Sequence, residues 1–294
     1  MSGIERRLKR VLSPATSPAA RRRLIAWRDA GVGQFARLRY RREPDRMRPS
    51  LIIVGAQKAG TTYLFHQLAL HPDVATPLTK ELHFFDDRYD RGLGWYLGHF
   101  PSADHGAALT LEASPGYLFH PHALRRLADD LPDVRIVVLL RDPIKRAYSH
   151  FLHERRLGYE PEPDFARALD LEAERIGPDL ERLELDPDHT GFAWRHFSYV
   201  ARGEYAGQLR RCHEIFGRDR VLILRSEEMF AEPRAALAET VAFAGLAPFE
   251  PERLAPNDMG AGGRPQFDHA TERRLHEHFA AHERELEEYL ASLD

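Results

Sequence analysis

Two periods of apolar and polar positions alternate along this chain. Leu51–Gly55 (LIIVG) is a short apolar run and Val134–Leu140 (VRIVVLL) is rich in β-branched residues, the pattern of strands buried on both faces. Ala108–Glu112 and Val221–Leu224 are shorter strand candidates. Between them the spacing turns helical. One helix runs through Tyr63, Leu64, Gln67 and Leu68 to a stop at His71–Pro72, another covers Pro121–Leu131, and Asp142–Pro143 opens a third with proline in its first turn. Tyr205–Phe216, Pro233–Ala244 (closed by Gly245) and Thr271–Leu290 are further helices. Leu82–Phe85 is a short apolar segment and Trp95–Phe100 suits the end of an amphipathic helix. Strands alternating with helices predict an α/β fold with a central parallel β-sheet flanked by helices on both faces.

Composition narrows the class. The 294 residues hold 42 basic and 45 acidic side chains, a net charge of −3, and 43% hydrophobic residues, which excludes a disordered or collagen-like chain. The length suits one large α/β domain or two small ones. A single cysteine, Cys212, rules out an intrachain disulfide and a zinc cluster built on thiolates. No stretch approaches the roughly 20 apolar residues of a membrane span, and no apolar signal-peptide core is visible. A reducing, cytoplasmic setting is expected.

Charge divides the chain. Residues 1–50 carry 14 Lys and Arg against four acids, a net of +10, so residues 51–294 carry −13. Residues 1–48 therefore read as a basic, flexible leader and 49–294 as the functional domain, with the acidic, proline-containing stretch 160–192 as a lid or insert. Such a leader is either a solvated, partly helical segment or an arm for the body or a membrane surface; nucleic acid is not expected. The chain has 38 Arg but four Lys, namely Lys9, Lys58, Lys80 and Lys145. A lysine kept against that bias marks a position where a compact ammonium serves better than a planar fork.

Three segments carry chemistry. In Gly55–Thr62 (GAQKAGTT) glycines follow a strand and precede a helix, so backbone amides and the helix dipole favour an anion. Lys58 adds a point charge, and Thr61 and Thr62 add hydroxyls. The lysine precedes the second glycine, so this is P-loop-like without the Walker order. In the second segment Arg141 stands at the end of a buried strand, where open α/β sheets bind ligands, and Ser149 follows in the next helix. Spacing alone leaves two readings: a grip on a second phosphate, or a capping arginine paired with Asp142. The third segment is Lys80-Glu81-Leu82-His83-Phe84-Phe85-Asp86. As an extended segment it points Glu81 and His83 to one side, with the basicity of Glu81 raised by the phenylalanines. Taken alone, it reads equally as an amphipathic edge with a surface ion pair.

In their order and spacing these segments resemble the sulfotransferases that use 3′-phosphoadenosine 5′-phosphosulfate (PAPS), in particular the heparan-sulfate sulfotransferase-like branch, over most of residues 50–285. The resemblance implies that Gln57, Lys58, Ala59, Gly60, Thr61 and Thr62 hold the 5′-phosphosulfate, and that Arg141 and Ser149 hold the 3′-phosphate. It implies Glu81 as catalytic base, Lys58 as a catalytic cation, His83 as a second base candidate, and His83 and Asp86 on the acceptor side. Ser198–Pro233 matches the family's core helix and last central strand, and Gly260–Pro265, with Gly263 and Arg264, a loop closing over the donor. Relatives often have Glu-Lys where this chain has Glu112-Ala113, before Ser114-Pro115.

The expected activity is therefore transfer of a sulfuryl group from PAPS to a hydroxyl or amine of a carbohydrate or small hydroxylated acceptor, leaving adenosine 3′,5′-bisphosphate and requiring no metal. Trp95, Tyr117, Trp194 and Tyr199 are candidates for the acceptor wall or for packing. The alternatives are a Mg-ATP-dependent phosphotransferase on a similar fold, with Asp142 as its only metal-binding candidate, and a nucleotide-binding relative without turnover.

Overall fold

β1 (Leu51–Gly55), β2 (Val74–Ala75), β3 (Leu109–Ala113), β4 (Arg135–Leu140) and β5 (Val221–Arg225) form one parallel sheet in the spatial order β2-β3-β1-β4-β5. The computed structural model that shows this describes residues 17–256 and 267–293. β1 is buried throughout, and β4 from Ile136 onward. A strand covered on both faces carries apolar side chains at every position, which is why these two were the plainest in sequence. Ile52, Ile53, Val54, Ile136, Val137 and Val138 have no exposed surface. Burial of each such side chain stabilises the fold by about 1.5–3 kcal/mol.

Leu51 pairs with Leu111 of β3 on one side and Arg135 of β4 on the other, so the C-terminal ends of these three strands lie side by side. The helices Thr61–Leu68 and Tyr205–Phe216 pack over the sheet. A second, smaller core joins Ile144, Phe151, Phe165, Phe197, Tyr199 and Phe279, beneath the C-terminal helix His269–Ala291. Arg146 is fully buried there and donates to the Tyr199 carbonyl. Two-residue β2 had no periodicity to reveal it.

Within the stretch 160–192, the helices Phe165–Asp170 and Glu172–Leu185 are tied to the body by two buried carboxylates. Glu160 accepts from the Tyr199 hydroxyl at 2.7 Å, and Glu172 from the Val200 and Ala201 amides at 2.8–3.0 Å.

The expectation of a flexible leader is corrected for Pro18–Arg42, which form a 25-residue helix capped by Ser17. Small residues let it approach the body closely: Ala36 is fully buried against Gly98, and Gly33 lies against Trp95. Its arginines find backbone acceptors, Arg39 on the Gly98 carbonyl (3.1 Å) and Arg22 on those of Leu157 and Gly158 (3.1 and 2.5 Å). Asp29 pairs with Arg88 at 3.2 Å. Among the described residues no helix is long and apolar enough to cross a membrane.

That close approach is testable. A Cβ at Gly98 would lie 2.1 Å from the Ala36 carbonyl oxygen, and backbone cannot yield cheaply. Gly98→Ala is expected to cost about 1–3 kcal/mol at this contact. Limited trypsinolysis should then cut within residues 18–42 several-fold faster than in wild type; an unchanged rate would show that the contact does not hold the helix.

Candidate active site

The turn after β1 leads straight into a helix whose start no side chain caps. Lys58 and Gly60 both have positive φ (72° and 94°), which folds the backbone back on itself ahead of the helix Thr61–Leu68. At Lys58, a residue with a Cβ, this costs about 1–2 kcal/mol. A Cβ at Gly60 would meet Met229 at 2.8 Å and Phe230 at 3.0 Å, so only glycine fits beneath the helix after β5. No side chain caps the start of Thr61–Leu68, so its first amides are offered to a ligand. Ala59 is buried and its carbonyl accepts from Ser226; Thr61 is buried and Thr62 half-buried. Gln57 carries a buried side-chain oxygen with no protein partner. Burial and the neighbouring Arg156 lower the Lys58 pKa to about 8, against the opposing pull of Glu81 and Glu154.

At the end of β4, Arg141 is not paired with Asp142. Asp142 caps the helix Pro143–Leu157, accepting from the amides of Ile144 and Lys145 at 3.0 Å, and pairs with the Lys145 ammonium at 3.1 Å. Arg141 instead donates to the Lys58 carbonyl at 2.7 Å, which joins the second motif to the first. It also lines a cavity with Tyr205, Arg225, Glu227 and His282. Ser149 is half-buried two turns along the helix and is not among the residues lining that cavity.

The third segment is not extended, and this corrects the sequence reading. Glu81 and His83 both adopt left-handed backbone (φ 62° and 50°), and Phe84–Asp87 form a helical turn. The two side chains nevertheless meet, by folding rather than by alternation. His83 Nε2 lies 3.9 Å from Glu81, and His83 Nδ1 donates to Asp86 at 2.9 Å. The basicity of Glu81 is likewise corrected. Burial raises its pKa, but Lys80, in direct contact, and His83 outweigh that and hold the carboxyl well below the usual range. Solvent moderates this effect, since the Glu81 side chain is 42% exposed. Phe84 and Phe85 point instead into an aromatic cluster with Tyr96 and Tyr117. Burial lowers the His83 pKa and the Asp86 carboxylate raises it, with a net rise.

Beneath this segment lies a residue without an assigned role in the sequence reading. Glu112, fully buried on β3, accepts from Ser114 (2.5 Å), Tyr96 (3.0 Å) and Tyr117 (3.2 Å). Ser114 and Tyr117 in turn accept the amides of His83 (3.1 Å) and Phe84 (3.0 Å). On the open side, Asp86, Asp87, His120, Trp194, Arg195 and Arg202 line a small cavity. Trp194, stacked on Phe119 at 4.2 Å, is the one aromatic candidate placed there; Trp95, Tyr117 and Tyr199 are core residues. Arg195 and Arg202 were missed, although the Trp194-Arg195 pair was a visible signal. Gly263 and Arg264 lie outside the described residues.

If Lys80 is what suppresses Glu81, its removal must release the carboxyl. In Lys80→Ala the Glu81 pKa is expected to rise. Carbon-13 NMR titration of the side-chain carboxyl reads this directly; no upward movement would remove Lys80 as the cause.

Comparisons with known proteins agree with this geometry. The family model for the Sulfotransferase domain matches residues 48–258. Mouse heparan sulfate glucosamine 3-O-sulfotransferase 6 is 36% identical over 204 residues, 69% of this chain and 54% of that protein. The bifunctional heparan sulfate N-deacetylase/N-sulfotransferase 1 of Caenorhabditis elegans is 31% identical over 195 residues, 64% of this chain and 21% of that one. The chain thus spans about half the length, or less, of these curated relatives. A solved sulfotransferase from Alicyclobacillus acidocaldarius superposes with a TM-score of 0.61 at 28% identity, covering 82% of this chain and 94% of its own. With a Sulfotransferase-domain match over residues 48–258 and a relative 36% identical across 69% of its length, the chain belongs to the sulfotransferase family.

Proposed function

We propose that this chain transfers a sulfuryl group from PAPS to a hydroxyl or amine of a glycan. One observation carries the reading: Arg141 at the end of β4 donates to the Lys58 carbonyl at 2.7 Å, so the second motif is joined to the turn after β1 at the C-terminal edge of the sheet. The donor supplies an activated sulfuryl group, whose bond to the 5′-phosphate breaks as the acceptor atom bonds to sulfur. Glu81 takes the acceptor proton. Lys58 and the first amides of Thr61–Leu68 hold the charge gathering on the leaving phosphate. Arg141, with Ser149, holds the 3′-phosphate. His83 is steadied by Asp86 and turns its other nitrogen toward Glu81.

A glycan acceptor is supported by the relatives, both named for heparan sulfate. A Mg-ATP phosphotransferase is disfavoured because Asp142 is engaged as a helix cap and ion-pair partner. Calorimetry should show adenosine 3′,5′-bisphosphate binding in the micromolar range, lost in Arg141→Ala and not matched by Mg-ATP. Glu81→Gln should lower sulfate transfer from labelled PAPS to heparosan-type glycans by about 10²–10⁴-fold with bisphosphate affinity retained. Tighter Mg-ATP binding would promote the phosphotransferase. Bisphosphate binding without transfer to any of a panel of glycans and phenols would leave a non-catalytic relative.

The N-terminal helix supports a peripheral setting at an anionic membrane surface. Trp27, Phe35 and Leu38 share its outward face at 80%, 55% and 51% exposure, with the exposed Arg23, Arg37 and Arg41 alongside. Exposed apolar residues beside arginines offer both apolar area and positive charge to an anionic surface. The protein should co-sediment with phosphatidylglycerol vesicles but not with phosphatidylcholine vesicles, and Trp27→Ser/Phe35→Ser should abolish this; equal sedimentation of the double variant would refute the contact.

A further inference from the structure

The C-terminal helix His269–Ala291 buries Thr271, Leu275, Phe279 and Leu286. The flank of that face carries His278 and His282, one helical turn apart, so both rings project to the same side. Facing them is Glu204, which joins the short turn Ala201–Gly203 to the helix Tyr205–Phe216. Its Oε1 lies 3.1 Å from His278 Nε2 and 3.7 Å from His282 Nε2, and the three donor atoms lie within 4.8 Å of one another. The two imidazole rings are 5.0 Å apart at centroid.

Two ligands each about 2.0–2.1 Å from a tetrahedral ion stand about 3.3 Å apart, and the Glu204 distances straddle that value. We propose that Glu204, His278 and His282 form a binding site for a first-row divalent transition metal of the zinc class. Two imidazole nitrogens and one carboxylate oxygen supply three ligands, and the exposed fourth position takes water. Calcium and magnesium, which need oxygen ligands, are not suited to it.

The position gives the site a structural use. Glu204 belongs to the chain leaving the smaller core, and the histidines to a helix added about 70 residues later. An ion bound there clamps the C-terminal helix to the body. His282 also lines the cavity beside Arg141, so the clamp fixes one wall of that cavity. The site is separate from the Glu81–His83–Asp86 chain, and its chemistry does not depend on the sulfuryl-transfer reading.

Cobalt(II) reports on this directly. The full chain, free of any affinity tag and stripped of metal, is titrated with Co²⁺ and then back-titrated with Zn²⁺. A visible absorption band of tetrahedral type, saturating at one Co²⁺ per chain and erased by Zn²⁺, is the expected result. His278→Gln/His282→Gln should abolish the band, Glu204→Gln should weaken affinity at least tenfold, and His83→Gln should keep it. Far-UV circular dichroism of each variant separates loss of metal from loss of fold. Zn²⁺ should raise the melting temperature of wild type and leave the double histidine variant unmoved. Absence of a saturable band, a band that survives in the double histidine variant, or a band lost in His83→Gln would overturn the proposal.

Discussion

Three adjacent parallel strands open at the same edge of the sheet, and the candidate site follows from that constraint. β3, β1 and β4 are neighbours in the sheet, and each opens into one part of the site. β1 releases the anion-binding turn, β4 releases Arg141, and β3 carries Glu112 and releases Ser114. Because the strands are held by backbone hydrogen bonds within a dry core, the three turns inherit the precision of the sheet rather than the looseness of surface loops. Crossover helices between parallel strands fix which face each segment returns on. The convergence of distant stretches of sequence is thus a property of strand order.

The segment carrying Glu81 and His83 does not begin on a strand and needs another restraint. Two non-glycine residues with left-handed backbone within three positions would each relax by about 1–2 kcal/mol if free. Glu112 opposes that relaxation. Its carboxylate sits in the core, where burial pushes its pKa up to about 7 even against three hydroxyl donors. Two of those hydroxyls spend their lone pairs on the His83 and Phe84 amides, so each links the buried acid to the backbone of the active segment. A polar group that is costly to bury becomes useful when satisfying it fixes a backbone that would otherwise drift.

What the sequence made legible, and what it did not, divides along physical lines. Burial on both faces writes β1 and β4 directly into apolar runs, whereas β2 is too short to write anything. Rarity of lysine drew attention to Lys58 and Lys80, both of which stand at the site. It drew equal attention to Lys145, which is 51% exposed and pairs with Asp142. The sign of the shift at Glu81 was misjudged because it depends on whether Lys80 folds back onto its neighbour, a matter of rotamer rather than of order along the chain. Trp95, Tyr117 and Tyr199 look like a sugar platform or like core with equal ease, since an aromatic residue serves both. The pairing of Glu204 with His278 and His282 spans more than 70 positions and has no local signal.

The hydrogen bond from Arg141 to the Lys58 carbonyl makes one side chain answer to two loops. Replacing Arg141 removes a charge and also releases the backbone that presents Lys58, while replacing Lys58 changes the left-handed residue whose carbonyl Arg141 rests on. Their effects are therefore coupled and will not sum. A substitution in one motif is therefore felt through the carbonyl of the other. The unit of inheritance at this site is the joined pair of turns, although more than 80 residues of chain lie between them.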